Sequence, residues 1–426
     1  MPSIELTKIS DPLLHEQRGT GDVCSLRKER IRSTLQRHGR QQPLRVLIGT
    51  NSLACGGAEH QIMRLMPHLM ALGLEVEHMY YGAPHFLREQ FKERQLCSHF
   101  LDRDAMGQLR FWKQAVSLIR SHQYDVVHAF GQTANFYVRG AGALARVPVL
   151  IAGWRSRTMD RRLRWRVPIS LLNLTTCAWI VNSESNSEAL KCLWGLRKMR
   201  IYVVSNALDI KGKYFTMRGP LDKGVFAWIN GRMAVGAVGR SEKQKNFDLF
   251  FDVAKIVAKR CHDVCFCLVG GPAGDPPSVE LDRHLRRRIE RENLSGFVKM
   301  LGRFDNVSGF LPHLSVLVCT SDSEGCPNAV LEGMRAELPI VMTDCCDTRL
   351  LVDPGKSGYV VPVGDVGELA DRTIELLNDP AKRQSFGRRS RELVERHFRA
   401  ENSAWTLAQI YVREWLRKTR TEKIKK

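Results

Sequence analysis

The chain has 426 residues, of which 43% are hydrophobic and 26% charged, and its formal net charge at pH 7 is +20. The apolar content is sufficient for hydrophobic cores, and the length favours two domains over one. No uninterrupted apolar stretch approaches the roughly 20 residues of a membrane-spanning helix, and the N-terminus lacks the apolar core of a signal peptide. These features argue against a membrane-spanning or secreted protein, so we expect it in the cytoplasm.

The positive charge predicts an anionic partner, which can be a nucleic acid, an anionic lipid surface or a phosphorylated substrate. The 12 cysteines do not indicate a metal site, because they are scattered along apolar segments without the C-x2-C spacing of zinc ligands. We interpret them as reduced structural thiols.

The N-terminal residues 1–43 are polar and basic, and we interpret them as a weakly ordered extension that could contain a short helix. Residues 44–49 form the first convincing strand. A glycine-containing loop, NSLACGGAE, and a helix with apolar residues at helical spacing follow this strand. Further short apolar strands alternate with helical segments, as expected for a parallel, doubly wound α/β sheet.

The same alternation starts again after a segment rich in glycine and proline, which indicates a second domain behind a linker. We therefore predict two Rossmann-like domains facing each other across a cleft. The predicted segments are an extension at 1–43, an N-terminal Rossmann-like domain at 44–210, a linker or hinge at 211–232, a C-terminal Rossmann-like domain at 233–397, and a last helix with a basic tail at 398–426. We expect this last helix to cross back to the N-terminal domain.

The most specific segment is TSDSEGCPNAVLEGMRAELPIVMT, residues 320–343. A strand ends at a polar turn that carries Glu324, and Pro327 then lies close to the start of a helix that includes Glu332. Backbone N–H groups at a helix start bind anions, whereas carboxylates accept hydrogen bonds from hydroxyl groups. This combination fits a nucleotide-sugar, which has hydroxyls at both ends and a diphosphate between them.

Two other segments suit the binding of a diphosphate. Arg240 and Lys245 lie five residues apart in a turn between a strand and a helix, so both could reach one leaving diphosphate. In the first loop, Gly56 and Gly57 lack side chains, which lets the backbone approach a phosphate or a sugar closely. Each of these patterns alone would more often be a solvated charge pair or a tight turn.

Taken together, these segments resemble family 4 of the glycosyltransferases, also called glycosyl transferases group 1. Glu324 and Glu332 match its E-x7-E signature, GRSEKQKN its G-R-x-x-x-x-K-N segment, LVGGP its L-V-G-x-G-P strand end, and GGAE its N-terminal glycine loop. The features occur in the family's order from about residue 44 to 417. The resemblance implies a GT-B fold, retention of the anomeric configuration, and no metal or other cofactor.

The resemblance also implies a role for each matching residue. Arg240 and Lys245 would neutralise the diphosphate, Glu324 would hold hydroxyls of the transferred sugar, and Glu332 would hold the ribose. The other residues expected to bind the donor are Gly56, Gly57, Cys326, Pro327 and Asn328, together with Gly302, Arg303 and Phe304 at the position that contacts the base.

The chain departs from the family pattern at DVVHAF, residues 125–130, where Phe130 replaces a histidine that often lies beside the reacting carbon. His128 is then either a catalytic substitute or a structural residue at a strand end. Residues 344–348 also depart from the usual glycine-rich loop, which leaves contacts with the donor sugar there undetermined.

The predicted partners are a nucleotide-sugar donor, with a UDP-sugar as the default from the family, and a glycan, lipid-linked or phosphate-bearing acceptor. The arginine-rich segment Trp154–Arg166 suggests contact with the acceptor or with an anionic membrane surface. Two alternatives stay open, a catalytically inactive relative with the same fold and an anion- or nucleic-acid-binding protein. We expect no nucleic-acid partner, because the sequence lacks a zinc finger and an RNA-recognition signature.

Overall fold

The computed structural model describes residues 23–54, 56–83, 85–155, 163–190, 193, 199–210, 221–304 and 307–425. The chain divides into two compact units. Unit 1 consists of Met1–Ala207 and Ala400–Lys426, and unit 2 consists of Leu208–Arg399. Among the described residues, no helix has the length and the apolar character needed to cross a membrane.

Unit 1 is built on a parallel sheet, to which the described residues contribute seven strands. The strands are β1 (Arg45–Thr50), β2 (Glu75–Tyr80), β3 (Ser98–Phe100), β4 (Val126–Phe130), β5 (Val149–Trp154), β6 (Ala178–Val181) and β7 (Arg200–Val203). Their order across the sheet is β3-β2-β1-β4-β5-β6-β7. The inner strands are buried on both faces, which explains their nearly continuous apolar sequences.

Helices cover both faces of this sheet. They are α1 (Val23–Arg37), α2 (Gly57–Ala71), α3 (Arg88–Glu93), α4 (Arg103–Met106), α5 (Gln108–Ser121), α6 (Gln132–Leu144), α7 (Leu163–Leu171), α8 (Glu184–Ala189) and α16 (Ala400–Lys425). Alternate residues of β1 point to opposite faces. Val46 and Ile48 pack in one core with residues of α1, α2 and α16, and Leu47 packs in another with α5 and α6.

The structure differs from the sequence prediction for residues 1–43. Residues 1–22 lie outside the described part of the chain, but α1 is an ordered helix whose Ile31 and Leu35 are buried in the unit 1 core. Arg40 donates two hydrogen bonds to the carboxylate of Asp125, at 2.7 and 2.6 Å. The apolar residues of α1 are few, so periodicity alone did not reveal that α16 provides a surface for them.

Helix α16 belongs to unit 1 although it follows the whole of unit 2 in the chain. Its Glu414 is almost fully buried and is the acceptor for the Arg200 guanidinium at 2.5 Å and the Tyr202 hydroxyl at 2.7 Å. A buried carboxylate needs such partners, because losing one leaves a desolvated charge. These two hydrogen bonds connect α16 to β7.

Unit 2 contains a second parallel sheet, which has six strands within the described residues. They are β8 (Met233–Val238), β9 (Val264–Val269), β10 (Val298–Gly302), β11 (Val316–Cys319), β12 (Ile340–Thr343) and β13 (Gly358–Val361), in the order β10-β9-β8-β11-β12-β13. The helices are α9 (Lys223–Ile229), α10 (Phe247–Arg260), α11 (Pro276–Arg291), α12 (Val307–Phe310), α13 (Asn328–Arg335), α14 (Val366–Asn378) and α15 (Pro380–His397). The predicted α/β class with two Rossmann-like domains is confirmed.

Of the predicted linker 211–232, residues 211–220 lie outside the described residues. Its second half is not a linker. Helix α9 lies there, and its Val225 and Ile229 are buried in the unit 2 core. Asp222 starts α9 by accepting a hydrogen bond from the Gly224 N–H at 2.8 Å, which is a local signal that the glycine and proline content obscured.

Candidate functional site

The order of strands in unit 2 reverses between β8 and β11, which are neighbours in the sheet although three helices and two strands separate them in the chain. Ligands of open α/β sheets bind at such a switch point, beyond the carboxyl ends of the strands. The loops that leave β8 and β11 carry residues 239–246 and 320–326. The topology therefore brings together the two segments that the sequence analysis singled out.

At this point Lys245 and Glu324 form an ion pair. The Lys245 Nζ lies 2.6 Å from the Glu324 Oε1, and the two side chains are only 16% and 9% exposed. The Ser321 hydroxyl donates to the same carboxylate oxygen at 2.8 Å, and the Glu324 N–H donates to the Cys345 carbonyl at 2.8 Å. Glu324 is thus held from its backbone and from its side chain, which gives the carboxylate a defined position.

The electrostatics of the pair keep Lys245 charged. Burial by itself would lower the pKa of the ammonium group, but the negative charge of Glu324 outweighs this effect, and the pKa is raised. The backbone reinforces the arrangement, because the Thr320 hydroxyl donates to the Lys245 carbonyl at 2.9 Å. A poorly hydrated ammonium group whose charged form is stabilised in this way is suited to bind a phosphate at the switch point.

Arg240 lies in the same loop, where its guanidinium pairs with Glu242 at 2.8 Å and is 42% exposed. The Gly239 backbone lies under the Lys245 side chain, since a Cβ on Gly239 would come within 3.2 Å of the Lys245 Cε. Arg240 and Lys245 therefore belong to one compact turn, and their joint contact with a diphosphate stays a prediction. Arg240 is the more accessible of the two cations.

The loop after β9 locks this arrangement through Gly270, which the sequence analysis did not assign to the site. Gly270 has a φ of +139°, and a Cβ there would lie 1.7 Å from the Gly239 carbonyl oxygen. Hydrogen bonds of 3.0 Å from the Gly239 N–H to Val269 and 2.9 Å from the Ser241 N–H to Gly271 join the two loops. The motif LVGGP contained this signal, because close backbone approach requires a glycine.

Helix α13 begins directly after the Glu324 turn. Pro327 is the residue before its first turn and provides no side-chain hydrogen bond to the helix, and Asn328 is its first residue. Cys326 and Glu332 are partly exposed, with Glu332 on the second turn. The start of α13 is therefore placed beside the ion pair, where a diphosphate could accept from backbone N–H groups.

The predicted base-contact residues lie at the end of β10. Gly302 adopts a φ of +76° and accepts a hydrogen bond from the Gly270 N–H at 2.8 Å, so this turn is joined to the Gly270 loop. The Arg303 side chain is exposed, and the Phe304 ring packs edge-on against Phe310 with centroids 5.1 Å apart. All three residues thus lie at the carboxyl end of the unit 2 sheet.

The glycine pair of unit 1 also lies at a switch point, between β1 and β4. Gly56 precedes α2 and Gly57 begins it. A Cβ on Gly56 would lie 2.3 Å from the Glu59 Oε2, because the Glu59 side chain folds back over the helix start. In this conformation Glu59 occupies the space that the absent side chain leaves open.

The structure does not support a catalytic role for His128. Its side chain is fully buried, and its Nδ1 lies 2.8 Å from the Tyr411 hydroxyl of α16. Burial and the nearby charge of Arg155 lower the pKa of His128 well below its usual value, so the ring is neutral at pH 7. Of the two interpretations of His128, the position favours a structural residue.

Because the folded state keeps His128 neutral, we expect the protein to lose stability as the pH falls below about 6.5, where the histidine of an unfolded chain takes up a proton. The loss from this residue is at most about 1.4 kcal/mol per pH unit. His128→Gln, whose amide can still contact Tyr411, should show a flatter decline of the urea midpoint between pH 7 and 5. Equal slopes of the urea midpoint against pH for this variant and the wild type would contradict the assignment of His128 as a buried, neutral residue. His262→Gln, which changes an exposed histidine, is the control.

The predicted membrane-facing segment Trp154–Arg166 is corrected in part. Residues 156–162 lie outside the described residues. Trp154 is 3% exposed and packs in a core with Ile169 and Trp179, so it cannot insert into a membrane interface. Trp165 is partly buried and packs edge-on against Phe136. Trp154 is therefore a core residue, as its place at the end of the continuous apolar strand β5 could have indicated, and Trp165 packs against the core.

Comparison with known proteins gives two family matches, one in each half of the chain. Residues 55–211 match the family described as Glycosyltransferase Family 4, and residues 232–379 match Glycosyl transferases group 1. These matches include the Gly56–Gly57 loop, the Arg240–Lys245 turn and the E-x7-E segment.

The sequence identity to individual relatives is low. The chain is 24% identical over 274 residues to the Escherichia coli UDP-Gal:α-D-GlcNAc-diphosphoundecaprenol α-1,3-galactosyltransferase, which covers 62% of this chain and 68% of that protein. It is 26% identical over 170 residues to the poly(ribitol-phosphate) α-N-acetylglucosaminyltransferase of Staphylococcus aureus (strain COL), which covers 39% of this chain and 33% of that protein. The chain thus spans between a third and about two thirds of the length of the curated relatives named here.

Among solved structures, Anabaena Alr3699/HepE in complex with UDP-glucose superposes with a TM-score of 0.73 at 18% identity, which covers 86% of this chain and 99% of that one. At this identity the likeness establishes the fold.

Proposed function

Because the chain belongs to family 4 of the glycosyltransferases and is a transferase with the GT-B fold, we propose that it moves a sugar from a UDP-sugar to a glycan, lipid-linked or phosphate-bearing acceptor with retention of configuration. The observation that carries this proposal is the enclosed Lys245–Glu324 pair at the switch point of unit 2. A fixed cation and a fixed carboxylate at a switch point are suited to the diphosphate and to the hydroxyls of a nucleotide-sugar.

In the proposed reaction, the bond between the anomeric carbon and the phosphate oxygen breaks, and negative charge develops on the leaving diphosphate. Lys245 and Arg240 stabilise this charge, and a preorganised cation of this kind contributes several kcal/mol. The acceptor oxygen forms the new bond on the face that the diphosphate leaves, and its proton passes to a phosphate oxygen. Glu324 holds hydroxyls of the transferred sugar throughout.

The pairing with Glu324 also supports a metal-independent transfer. A diphosphate that approaches Lys245 meets an ammonium group whose position is already defined, so less ordering is needed on binding. With Arg240 beside it and the start of α13 close by, the protein offers the charge that a divalent cation would otherwise supply. We therefore expect turnover to continue in the presence of a chelator.

The choice of UDP and of the acceptor class rests on the relatives. The E. coli relative is named for UDP-Gal and a diphosphoundecaprenol-linked acceptor, the S. aureus relative for poly(ribitol-phosphate), and the Anabaena structure holds UDP-glucose. Acceptors of the first two kinds carry phosphate, which agrees with a net charge of +20 on this chain. The sugar and the linkage that it forms stay open.

Thermal-shift measurements with UDP, GDP, ADP and their sugars, with Mg²⁺ or with a chelator, test the donor. A ligand that binds only the folded state at 100 times its Kd adds about 2.7 kcal/mol of stability. We expect UDP and one UDP-sugar to raise the melting temperature. For each ligand, the rise should be the same with Mg²⁺ and with the chelator. No shift with any nucleotide at millimolar concentration would contradict the donor site, and a shift that requires Mg²⁺ would contradict metal independence.

Retention is tested separately. The protein is incubated with the UDP-sugar that it binds and with a polyprenyl-diphosphate-linked or ribitol-phosphate acceptor, and the coupling constant of the anomeric proton of the product is measured by NMR. The same anomeric configuration as in the donor is expected, and an inverted product would overturn the proposed mechanism.

A further inference from the structure

A cluster of histidine, glutamate and cysteine side chains lies at the edge of the unit 1 sheet, on residues that the transfer reaction does not use. Glu77 is on β2, His99 is on the edge strand β3, and His122 directly follows α5. Strands β2 and β3 are parallel neighbours in which Met79 pairs with His99. Glu77 shares the face of Met79, because residues two apart in a strand point the same way.

The three side chains converge closely. One ligand atom from each of Glu77, His99 and His122 lies within 4.8 Å of the other two. The Glu77 Oε2 is 2.7 Å from the His99 Nε2, and the centroids of the two histidine rings are 5.1 Å apart. The Sγ of Cys97, the residue directly before β3, lies 3.8 Å from the His99 Nε2. Glu77, His99 and His122 thus meet at one place, with Cys97 beside His99, and all of these residues are of types that bind transition metals.

Hydrogen bonds to neighbouring groups fix the orientation of the His122 ring and of the Glu77 carboxylate, as they do for the ligands of metal sites. The His122 Nδ1 lies 3.0 Å from the Leu118 carbonyl. A carbonyl can only accept, so the Nδ1 carries the proton and the lone pair of a neutral ring is on the Nε2. The Tyr124 hydroxyl donates to the Glu77 Oε2. Such outer partners hold the ring and the carboxylate of metal sites in place.

We propose that Glu77, His99 and His122 bind a zinc ion, with the Cys97 thiolate as the fourth ligand. Imidazole and thiolate favour zinc over the oxygen-preferring Mg²⁺ and Ca²⁺. Bonds of about 2.0–2.3 Å in a tetrahedron place ligand atoms roughly 3.3–3.6 Å apart. The Glu77–His99 pair therefore opens by about half an ångström, and the proton that it shares, together with the Cys97 proton, is released to solvent.

The proposed ion is structural. It would join β3, whose only neighbour among the described strands is β2, to the end of α5, and it would protect an edge strand of three residues. The ligands come from three separate segments of the chain. This spacing explains why no zinc motif is visible in the sequence. The site belongs to unit 1, whereas Lys245 and Glu324 belong to unit 2, so the inference does not depend on the proposed donor or on its metal requirement.

The test uses full-length, tag-free protein, reduced and stripped of metal, which is titrated with Zn²⁺ against a chromophoric chelator. We expect one equivalent to bind and to raise the melting temperature, whereas Mg²⁺ should have no effect. His122→Gln and Glu77→Gln should each weaken this binding at least about 100-fold, since loss of even an outer partner costs 10- to 100-fold. His262→Gln changes an exposed histidine of unit 2 and should bind as the wild type does.

Cobalt distinguishes the fourth ligand. A Co²⁺-substituted protein is expected to show tetrahedral d–d bands and a thiolate-to-cobalt charge-transfer band, and Cys97→Ser should remove only the latter. Circular dichroism shows whether each variant is folded. The proposal is overturned if the native protein binds no zinc, or if His122→Gln and Glu77→Gln, both folded, bind it as tightly as the wild type.

Discussion

Replacing Lys245 by alanine is expected to lower the turnover number about 10²- to 10³-fold, which corresponds to about 2.7–4 kcal/mol of lost transition-state stabilisation. The ammonium group is nearly enclosed and pairs with Glu324 at 2.6 Å, so its removal takes away a fixed charge that water does not replace electrostatically. The effect should fall on the turnover number more than on KM, because the charge on the diphosphate grows as its bond to the sugar breaks.

The matched control is Lys243→Ala. Lys243 lies two residues away in the same turn, but its side chain is exposed. This variant should keep turnover within about twofold, since an exposed charge in water contributes little. Initial rates with the donor identified by thermal shift give the comparison. Near-normal turnover for a folded Lys245→Ala would remove Lys245 from the proposed mechanism, as would an equal loss for both variants.

Replacing Gly270 by alanine is expected to destabilise unit 2 by roughly 2–4 kcal/mol and to abolish detectable donor binding. The new Cβ would lie 1.7 Å from the Gly239 carbonyl oxygen, and a φ of +139° is costly for any residue with a side chain. Relief of the clash must move the loop that carries Arg240 away from the loop after β9. The binding site for the diphosphate would then lose its defined shape.

Gly271→Ala provides the comparison, because a Cβ on the adjacent glycine has no atom within 4 Å. Urea unfolding and the thermal shift with UDP are measured for both variants. The stability and the UDP shift of Gly271→Ala should be close to those of the wild type. If Gly270→Ala keeps both as well, the two loops are not coupled in the way that the structure indicates.

Local patterns in the chain determined the fold class and the main site segments. Short apolar strands alternate with amphipathic helices, and this pattern indicates parallel sheets covered by helices. Spacing within one loop and the following helix likewise revealed Glu324, Pro327 and Glu332, and the turn with Arg240 and Lys245. These features involve residues close in sequence, so that their geometry follows from local backbone rules.

Contacts between distant segments decided the rest. The sequence could not show that Lys245 pairs with Glu324, which lies 79 residues further along the chain, or that Gly270 supports Arg240. The same applies to α1, which becomes ordered because α16 buries Ile31 and Leu35, and to His128, which Tyr411 encloses from 283 residues away. The proposed zinc ligands, which lie on β2, at β3 and directly after α5, belong to this group too.

The physical reason is that polarity and helical or strand preference can be read from each residue and its neighbours in the chain. Burial and pairing, in contrast, depend on which strands and helices are adjacent in the folded protein. Trp154 shows the difference. Beside a run of arginines it suggested a membrane surface, yet its place on a central strand puts it in the core of unit 1. The sequence by itself determined which elements form and where anion-binding loops occur, and only the tertiary structure decided which side chains meet there.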